Sequence, residues 1–402
     1  MLLYKEDYSP KTGVTVILEG KMTVKTTPKK NTVFVVRKID DVGFEDRPVP
    51  DPAKLMPDDV LVAPKATGIC GSDVHFVQHG RIGDFILEKP MILGHECAGV
   101  VLAVGTAVED LKKGDRVALE PGEPCRRCEI CKAGRYNLCK KVKFAATPPT
   151  DGTLAGYYVL PGDFCYKLPE DVTLEEGSFL EPLSVAVHAV ANIGTLRAGQ
   201  NVAIFGAGPV GLLSMAVANA LGARRVIGID IQQDRLDFAR SYAATDIWKS
   251  TPAKPDESMT DCARRQTFEM RDALGIDLET GPESMHLVID CTGAEACITC
   301  GVFLVADAGT CVQVGIRSMN ASLPVQAMTT REITFKGSWR YRAGVYKQSL
   351  NLIAQKKVDL KRLITHRYAF EDAEAAFQCM IDGKGADGKT PIKCIIAGPE
   401  DG

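Results

Sequence analysis

Residues 201–211 read Asn-Val-Ala-Ile-Phe-Gly-Ala-Gly-Pro-Val-Gly, an apolar run that ends in a Gly-x-Gly-x-x-Gly turn, and residues 212–221 continue with a helix-like pattern. A strand, a glycine-rich turn and a helix in this order are typical of dinucleotide-binding folds. The glycines allow a tight turn and a close approach of the backbone, so that a pyrophosphate can meet the helix N-terminus. Three glycines could also merely turn a strand into a helix, and the sequence around them decides between the two interpretations.

Asp230 supplies that context, since it ends the next predicted strand, residues 225–229, about 20 residues downstream. Its carboxylate can accept hydrogen bonds from the ribose hydroxyls of adenosine, and its charge would repel the extra phosphate of NADP. Arg225 and Arg235 lie close by in sequence, and a cation there could tolerate a phosphate. The pattern favours a dinucleotide site that prefers NAD.

The alternation of apolar strands and helical segments continues after Pro182, with further strands expected at residues 286–290 and 310–314. Such alternation predicts a parallel sheet with crossover helices. Before Pro182 the chain has short β-branched runs, such as residues 32–36, 60–63 and 100–104, which Gly and Pro interrupt, so this part is expected to be β-rich. A chain of 402 residues is also long for one core, so we expect two domains.

Composition narrows the classes of partner. Hydrophobic residues make up 45% and charged residues 25% of the chain, and the formal net charge is only -3, so neither nucleic acid nor an anionic membrane is an expected partner. No apolar run approaches the roughly 20 residues of a membrane span, and no secretory signal is recognisable. We therefore expect a cytoplasmic protein.

In a reducing compartment, fourteen cysteines are better explained as metal ligands, nucleophiles or core residues than as disulfides. Cys125, Cys128, Cys131 and Cys139 have the spacing C-x2-C-x2-C-x7-C, which lets one loop present four thiolates to a tetrahedral ion. Four sulfur ligands leave no open position, so the site would be structural and would hold a polar lobe at residues 120–140. An iron–sulfur cluster is the alternative, but nothing else in the chain suggests electron transfer, so zinc is favoured.

A second candidate metal site consists of Cys70 and, 25 residues later, His95 and Glu96. A thiolate, an imidazole and a carboxylate would make three ligands with one position left open for water or substrate, as a catalytic zinc requires. Spacing alone does not show that the three side chains converge. A His-Glu pair is also common on protein surfaces, where it binds no metal.

Taken together, these motifs resemble those of the zinc-dependent medium-chain alcohol dehydrogenases. Residues 116–122, 145–149, 180–184 and 339–341 are similar to the polyol branch of that family. Residues 79–85 and 398–400 are most similar to fungal xylitol dehydrogenases, with sorbitol and L-arabinitol dehydrogenases as close alternatives. The resemblance covers residues 32–399.

The resemblance implies an α/β chain with a GroES-like, β-rich catalytic domain and a Rossmann domain that binds NAD. The catalytic domain would comprise residues 31–182 and 337–402, the Rossmann domain residues 183–336, and residues 1–30 a tail. It further implies a homotetramer with two zinc ions per chain, oxidising a small polyol. A protein on the same fold that binds nucleotides without catalysis is the alternative from another class, but the presence of Cys70, His95, Glu96 and Glu181 together argues against it.

The resemblance also assigns residues to roles. Cys70, His95 and Glu96 would bind the catalytic zinc, with Glu181 beside it or as a further ligand, and Ser72 and His75 would relay the alcohol proton. Contacts with the substrate are implied for Phe76, Glu181, Arg340 and Tyr341. Phe76 stands where animal sorbitol dehydrogenases have a tyrosine, which weakens an assignment to sorbitol. Cofactor contacts are implied for Gly206, Gly208, Pro209, Val210, Gly211, Asp230, Ile231, Arg235, Val314, Gly315, Ser338 and Arg340.

Overall fold

The structure is a computed structural model that describes residues 30–318 and 320–400. Apart from Lys30, the predicted tail lies outside these residues. The strands are β1 Asn31–Lys38, β2 Asp41–Arg47, β3 Asp59–Gly68, β4 Arg81–Ile82, β5 Phe85–Ile86, β6 Met91–Ile92, β7 Glu96–Val104, β8 Arg116–Leu119, β9 Gly122–Glu123, β10 Lys143–Phe144, β11 Tyr158–Pro161, β12 Cys165–Lys167, β13 Asn201–Phe205, β14 Arg225–Asp230, β15 Asp246–Lys249, β16 Met285–Asp290, β17 Val305–Gln313, β18 Thr334–Gly337, β19 Ile364–Tyr368 and β20 Lys393–Ala397.

The α-helices come mostly from the second half of the chain. They are α1 Gly71–His79, α2 Glu129–Lys132, α3 Leu174–Ser178, α4 Leu180–Val187, α5 Pro209–Ala220, α6 Gln233–Tyr242, α7 Met259–Leu274, α8 Glu295–Leu304, α9 Val325–Thr330, α10 Val345–Ala354 and α11 Ala373–Asp382. None of these helices combines the length and the apolar character that crossing a lipid bilayer requires.

One sheet is parallel throughout, with the strand order β15-β14-β13-β16-β17-β18. Numbered from β13, this order is 3-2-1-4-5-6, the doubly wound arrangement of dinucleotide-binding domains. All residues of β13 are buried, as expected for a central strand that helices cover on both faces. The order reverses between β13 and β16, so their carboxyl ends open a crevice in which this fold binds its ligands.

The second large sheet has the order β12-β8-β7-β3-β20-β19, and β11 also pairs with β3. In it Ile395 of β20 lies opposite Gly68 of β3, and Gly68 lies opposite Glu96 of β7. Two strands from the end of the chain thus join a sheet formed by residues before Pro182. The domain boundaries given above stay a prediction.

Helix α4 connects the two sheets. A single cluster of buried side chains extends from Ala98 in β7 through Leu183 in α4 to Leu213 in α5. Because α4 packs between the β-rich sheet and helix α5, which in turn packs on the parallel sheet, side chains at its first turn lie near the junction of the two. Glu181 is in that turn.

The strands predicted from the sequence are confirmed, and differences concern their ends. The strand predicted at residues 310–314 is the second half of β17, which begins at Val305 and ends at Gln313. Helix α5 begins at Pro209 rather than at residue 212, because proline already has the backbone φ of a helix and needs no amide hydrogen in its first turn.

Candidate active site

Cys70, His95 and Glu96 converge where β3 ends and β7 begins, and one donor atom from each lies within 4.8 Å of the others. The register that pairs Gly68 with Glu96 brings the two segments together. A Cβ atom on Gly68 would lie 2.3 Å from Glu96 Oε2, so only glycine leaves room for this carboxylate. A thiol, an imidazole and a carboxylate in contact form a donor set that fits a metal ion with one open position.

Asp73 holds this group of side chains in place from the first turn of α1. Its Oδ2 accepts a hydrogen bond from the Cys70 amide at 3.2 Å, and its Oδ1 accepts one from the Gly94 amide at 3.1 Å. The same Oδ1 lies 3.4 Å from His95 Nδ1. Burial alone would lower the pKa of His95, but Asp73 and then Cys70 raise it well above its usual range. The surroundings therefore favour positive charge at this point, as a divalent cation would provide.

Lys393 reaches the same group from β20. Its Nζ donates hydrogen bonds to Glu96 Oε1 at 2.7 Å, to Glu96 Oε2 at 2.6 Å and to the Ile69 carbonyl at 3.1 Å. Both side chains of the pair are only 2% exposed. Burial opposes the charge on Lys393, yet Glu96 and Cys70 raise its pKa. Since removal of one partner from a buried ion pair costs about 3–5 kcal/mol, this contact fixes the Glu96 carboxylate firmly.

Glu181 is the titratable group of α4 at this place, and it is buried. Burial raises the pKa of its carboxyl group to about 7; nearby His95 lowers this pKa and Glu96 raises it. Near neutral pH, Glu181 is thus present in both protonation states. A carboxyl group with such a pKa can hold or release a proton at working pH.

A cleft of about 210 Å³ opens onto these side chains. One wall comes from residues before Pro182 and includes Phe76 of α1 and Phe144 of β10, while Val210, Val314 and Ser338 come from the side of the parallel sheet. The buried Ser338 Oγ has no hydrogen-bond partner among the described residues, so it is available to a ligand. A molecule in the cleft would therefore contact the candidate metal ligands and the dinucleotide-type sheet together.

The glycine-rich turn beside the cleft has the shape that its sequence predicts. Gly206 has a φ of 94°, in the left-handed region that favours glycine. A Cβ atom on Gly211 would lie 1.8 Å from the Gly206 carbonyl oxygen, whereas one on Gly208 would meet nothing within 4 Å. Asp230 Oδ2 accepts a hydrogen bond from the Ala207 amide at 2.7 Å. The turn is held in place, and the backbone at Gly208 and the N-terminus of α5 stay open to an anion.

The four cysteines of the lobe also converge, and their Sγ atoms all lie within 4.8 Å of one another. The Cys128 and Cys131 sulfurs are 3.3 Å apart, and those of Cys125 and Cys131 are 3.9 Å apart. Tetrahedral zinc with Zn–S bonds of about 2.3 Å requires S···S separations of about 3.8 Å. The donor set and its spacing fit a closed, structural zinc site.

Family models match both parts of the chain. Residues 56–170 match the alcohol dehydrogenase GroES-like domain, and residues 209–355 match the zinc-binding dehydrogenase domain. Over 377 residues the chain is 51% identical to D-xylulose reductase A of Aspergillus niger. The alignment covers 94% of this chain and 99% of that protein. The chain belongs to the zinc-binding alcohol dehydrogenase family.

Solved structures agree with this assignment. A dehydrogenase of unknown specificity from Escherichia coli superposes on the chain with a TM-score of 0.78 at 30% identity, covering 92% of this chain and 99% of that one. A putative zinc-binding dehydrogenase from Sinorhizobium meliloti, solved with NADP bound, gives 0.75 at 25% identity, covering 92% and 99%. The predicted fold class, a GroES-like β-rich domain with a Rossmann domain, is confirmed, as is the prediction of an oxidoreductase of this family.

Many of the residues singled out in the sequence line the cleft of the dehydrogenase. They are Cys70, Ser72, Phe76, His95, Glu96, Glu181, Val210, Val314, Ser338 and Arg340. Arg340 has a φ of 50°, and its guanidinium lies 3.6 Å from the centre of the Phe144 ring. Burial lowers the pKa of Arg340 to about 10. The guanidinium of Arg340 therefore presents a positive charge on the cleft wall, where a bound ligand can contact it.

Other predicted residues lie away from that surface. His75 is exposed on α1, with its ring 5.3 Å from that of His79. Ile231 is 66% exposed beyond the end of β14, and Arg235 lies on α6. Tyr341 is 2% exposed and packs in the core, 5.1 Å from the Tyr346 ring. Its buried hydroxyl has no hydrogen-bond partner among the described residues, so the substrate contact of Tyr341 stays a prediction.

Lys393 and Asp73 are the important side chains that sequence reasoning missed. Asp73 stands inside the motif that contains Cys70, and its place three residues into α1 was a signal, since a carboxylate there caps the helix. For Lys393 the signal was a single lysine in an otherwise apolar strand, but its partner lies 297 residues away. Further lining residues not predicted are Ile82, Phe85, Thr147, Phe144, Pro182, Val185, Ile316 and Trp339.

A buried carboxyl group, Glu120, joins the cysteine lobe to the β-rich sheet. It accepts hydrogen bonds from Tyr136 of the lobe and from Tyr166, the latter at 2.8 Å. Burial raises the pKa of Glu120 from 4.5 to about 7. Between these two pH values the folded chain keeps a proton that the unfolded chain has lost. The stability of the fold therefore falls as pH rises through this interval, by about 3 kcal/mol in total.

We expect Glu120→Gln to remove this pH dependence, because glutamine stays neutral and can still bond with both tyrosines. Urea unfolding at about pH 5 and about pH 8 measures it: the variant should lose less stability between the two values than the wild type, by up to about 3 kcal/mol. Glu123→Gln, near the surface on β9, is the matched control and should behave as the wild type does. Equal slopes for Glu120→Gln and the wild type would contradict the argument.

Proposed function

We propose that the dehydrogenase oxidises a polyol in this cleft, with a zinc ion held by Cys70, His95 and Glu96 and with NAD as the cofactor. The observation that carries the proposal is the convergence of these donors and Glu181 at a cleft shared with the glycine-rich turn. Bound there, zinc would lower the pKa of a substrate hydroxyl and NAD would accept the hydride. The reaction that fits the relatives named D-xylulose reductase is xylitol plus NAD giving D-xylulose plus NADH.

The protein's own groups supply proton handling and a dry site. Glu181, with a pKa near neutrality, holds or releases a proton beside the reacting hydroxyl. Ser72 lines the cleft, and His75 lies one turn along the same face of α1 and is exposed to solvent. We assign these two to the relay that carries the alcohol proton outward. Phe76 and Phe144 cover the reacting centre with apolar surface and so exclude water.

A substrate with several hydroxyls suits this cleft better than a simple alcohol does. Glu181 and Arg340 are both largely buried at the wall, and each has hydrogen-bonding capacity directed at the cleft. An unsubstituted alcohol would leave such groups unpaired, at a cost of about 1–3 kcal/mol for each. Phe76 offers no hydroxyl, so selection among polyols rests on Glu181 and Arg340.

Asp230 supports NAD over NADP. Its Oδ2 is engaged by the Ala207 amide and its Oδ1 accepts from the Gln232 amide at 2.9 Å, which fixes a carboxylate at the end of β14. A fixed negative charge there disfavours the additional phosphate of NADP. Arg235 and Ile231 flank the same place, where they would meet the adenosine.

A second zinc belongs, in our proposal, to the lobe that contains Cys125, Cys128, Cys131 and Cys139. Nothing in the chain calls for electron transfer, so we prefer zinc to an iron–sulfur cluster. None of the fourteen cysteines, all of which the structure describes, is in a disulfide, and this agrees with our proposal that the enzyme is cytoplasmic. We also propose the homotetramer implied by the family resemblance, which gel filtration with light scattering can check.

The substrate proposal predicts the outcome of a panel of xylitol, sorbitol and L-arabinitol, each assayed with NAD and with NADP. We expect the highest kcat/KM for xylitol with NAD, by about tenfold or more over the other polyols, because one misplaced substituent in a pocket costs about 1–3 kcal/mol. A higher kcat/KM for sorbitol or L-arabinitol than for xylitol would identify the enzyme as the corresponding polyol dehydrogenase instead. NADH formation from none of the three would count against the polyol proposal itself.

A further inference from the structure

A third group of metal-ligating side chains lies away from the cleft, on elements near the end of the chain. His366 is in β19, Cys379 is in α11 and Cys394 is in β20. One donor atom from each lies within 4.8 Å of the others, the same criterion that the two zinc sites proposed above meet. None of these residues lines the cleft. The reaction proposed above does not involve these three side chains.

The two thiols have the separation that a shared ion requires. Their Sγ atoms are 3.9 Å apart, close to the roughly 3.8 Å edge of a tetrahedral zinc–sulfur site and far from the roughly 2.05 Å of a disulfide. Both are buried: Cys379 is 5% exposed and Cys394 is 0% exposed. Buried cysteines often serve only as small apolar side chains. A pair that faces an imidazole is a different case, since apolar packing does not require that group.

The imidazole and the carboxylate form the outer side of the group. His366 lies 2.9 Å from Thr365 Oγ1 through Nδ1 and 3.2 Å from Asp387 Oδ1 through Nε2. A Cβ atom on Gly385 would lie 2.1 Å from His366 Nε2, so the loop backbone lies directly on the ring. The side chain of Asp387 is 45% exposed, whereas that of His366 is 9% exposed. Asp387 thus connects the buried donors with solvent.

We propose that Cys379, Cys394 and His366 bind a divalent thiophilic cation such as Zn²⁺, with Asp387 holding the imidazole from outside the ligand group. Two sulfurs and one imidazole nitrogen are ligands that zinc accepts in tetrahedral sites. On binding, the ion takes the place of the two thiol protons, which pass to solvent. The site differs from the catalytic and lobe sites in its ligands and its position.

Such an ion would tie together α11, β19 and β20. Cys394 directly follows Lys393 in β20, so the two side chains point to opposite faces of the sheet. Lys393 holds Glu96 on one face, and the ion would hold the strand from the other. We therefore assign the third site a structural role, stabilising the strand that supplies Lys393 to the catalytic centre.

Equilibrium dialysis of the full-length enzyme against buffered free Zn²⁺, followed by metal analysis, tests the proposal. We compare the wild type with Cys379→Ala and with His366→Gln, which keeps a side chain able to bond with Thr365 and Asp387. Cys165→Ala removes a buried thiol elsewhere and is the control. The wild type and the control should bind one zinc per chain more than either variant, and the variants should need at least about 100-fold more free zinc to bind a further ion.

The comparison uses the difference between proteins, so it does not depend on how many zinc ions the other sites hold. Circular dichroism and thermal unfolding establish that each variant is folded. Equal zinc content and equal affinity in the wild type and in His366→Gln would overturn the proposal, even if Cys379→Ala failed to fold. If none of the four proteins formed NADH from polyols, that result would count against the proposed function. The comparison of zinc content between the proteins would still test the third metal site.

Discussion

Cys70→Ala is expected to lower kcat/KM for polyol oxidation by about 1000-fold or more. Cys70 provides the thiolate among the three donors that converge at the cleft, and none of the described side chains beside it supplies another thiolate. A metal that stabilises developing charge contributes several kcal/mol, and each 1.36 kcal/mol corresponds to a factor of ten in rate. Steady-state kinetics with the preferred polyol, together with zinc analysis, measures both the loss of activity and the loss of one ion per chain.

Cys97→Ala is the matched control for this experiment. Cys97 directly follows Glu96 in β7, but its side chain is buried in a different cluster, with Val62 and Leu119, and does not line the cleft. Removal of that thiol should leave the zinc content unchanged and kcat/KM within a fewfold of the wild-type value. If Cys70→Ala retained wild-type kcat/KM with one zinc fewer, the assignment of the reacting centre to Cys70, His95 and Glu96 would be wrong.

The second large effect is expected from Cys128→Ala in the lobe. Most residues from Arg126 to Leu138 are at least partly exposed, so the lobe has little apolar burial of its own to stabilise it. We expect the variant to lose one zinc per chain and several kcal/mol of stability, since structural zinc sites contribute directly to folding. Metal analysis and calorimetric unfolding measure the two quantities.

Activity should fall as well, because the lobe supports the segment that includes Arg340. Asn137 donates a hydrogen bond to the Trp339 carbonyl at 2.7 Å, and the Gly134 carbonyl accepts one from the Ala343 amide at 3.0 Å. Ile130→Ala, a change in the same lobe that leaves all four thiols in place, is the control and should keep zinc, stability and activity. An unchanged zinc content in Cys128→Ala would rule out the four-cysteine site.

The features that could be predicted from the sequence are those that one short segment of the chain determines by itself. The glycine-rich turn specifies its own geometry, because Gly206 needs a left-handed φ and Gly211 must approach the Gly206 carbonyl. The spacing of the lobe cysteines likewise lies within one loop. In both cases local sterics and donor chemistry leave few arrangements, so the prediction and the structure agree.

Contacts between distant segments were harder to predict. The pairing of Lys393 with Glu96 depends on β20 entering the sheet beside β3, which residue spacing does not reveal. The resemblance implies a substrate contact for Tyr341, but residue spacing does not reveal that its ring packs against Tyr346 in the core. The third thiol and imidazole group is separated in sequence in the same way, and only the packing of α11 against β20 brings it together.

Removal and return of zinc in the wild-type enzyme tests the central claim most directly. The protein is depleted with a chelator, its zinc content and folded state are measured, and NADH formation from xylitol and NAD is followed before and after zinc is restored. We expect NADH formation to disappear with the zinc and to return with it, whereas Cys70→Ala should respond to neither step. Undiminished NADH formation by folded protein that metal analysis shows to be free of zinc would contradict a zinc-dependent reaction.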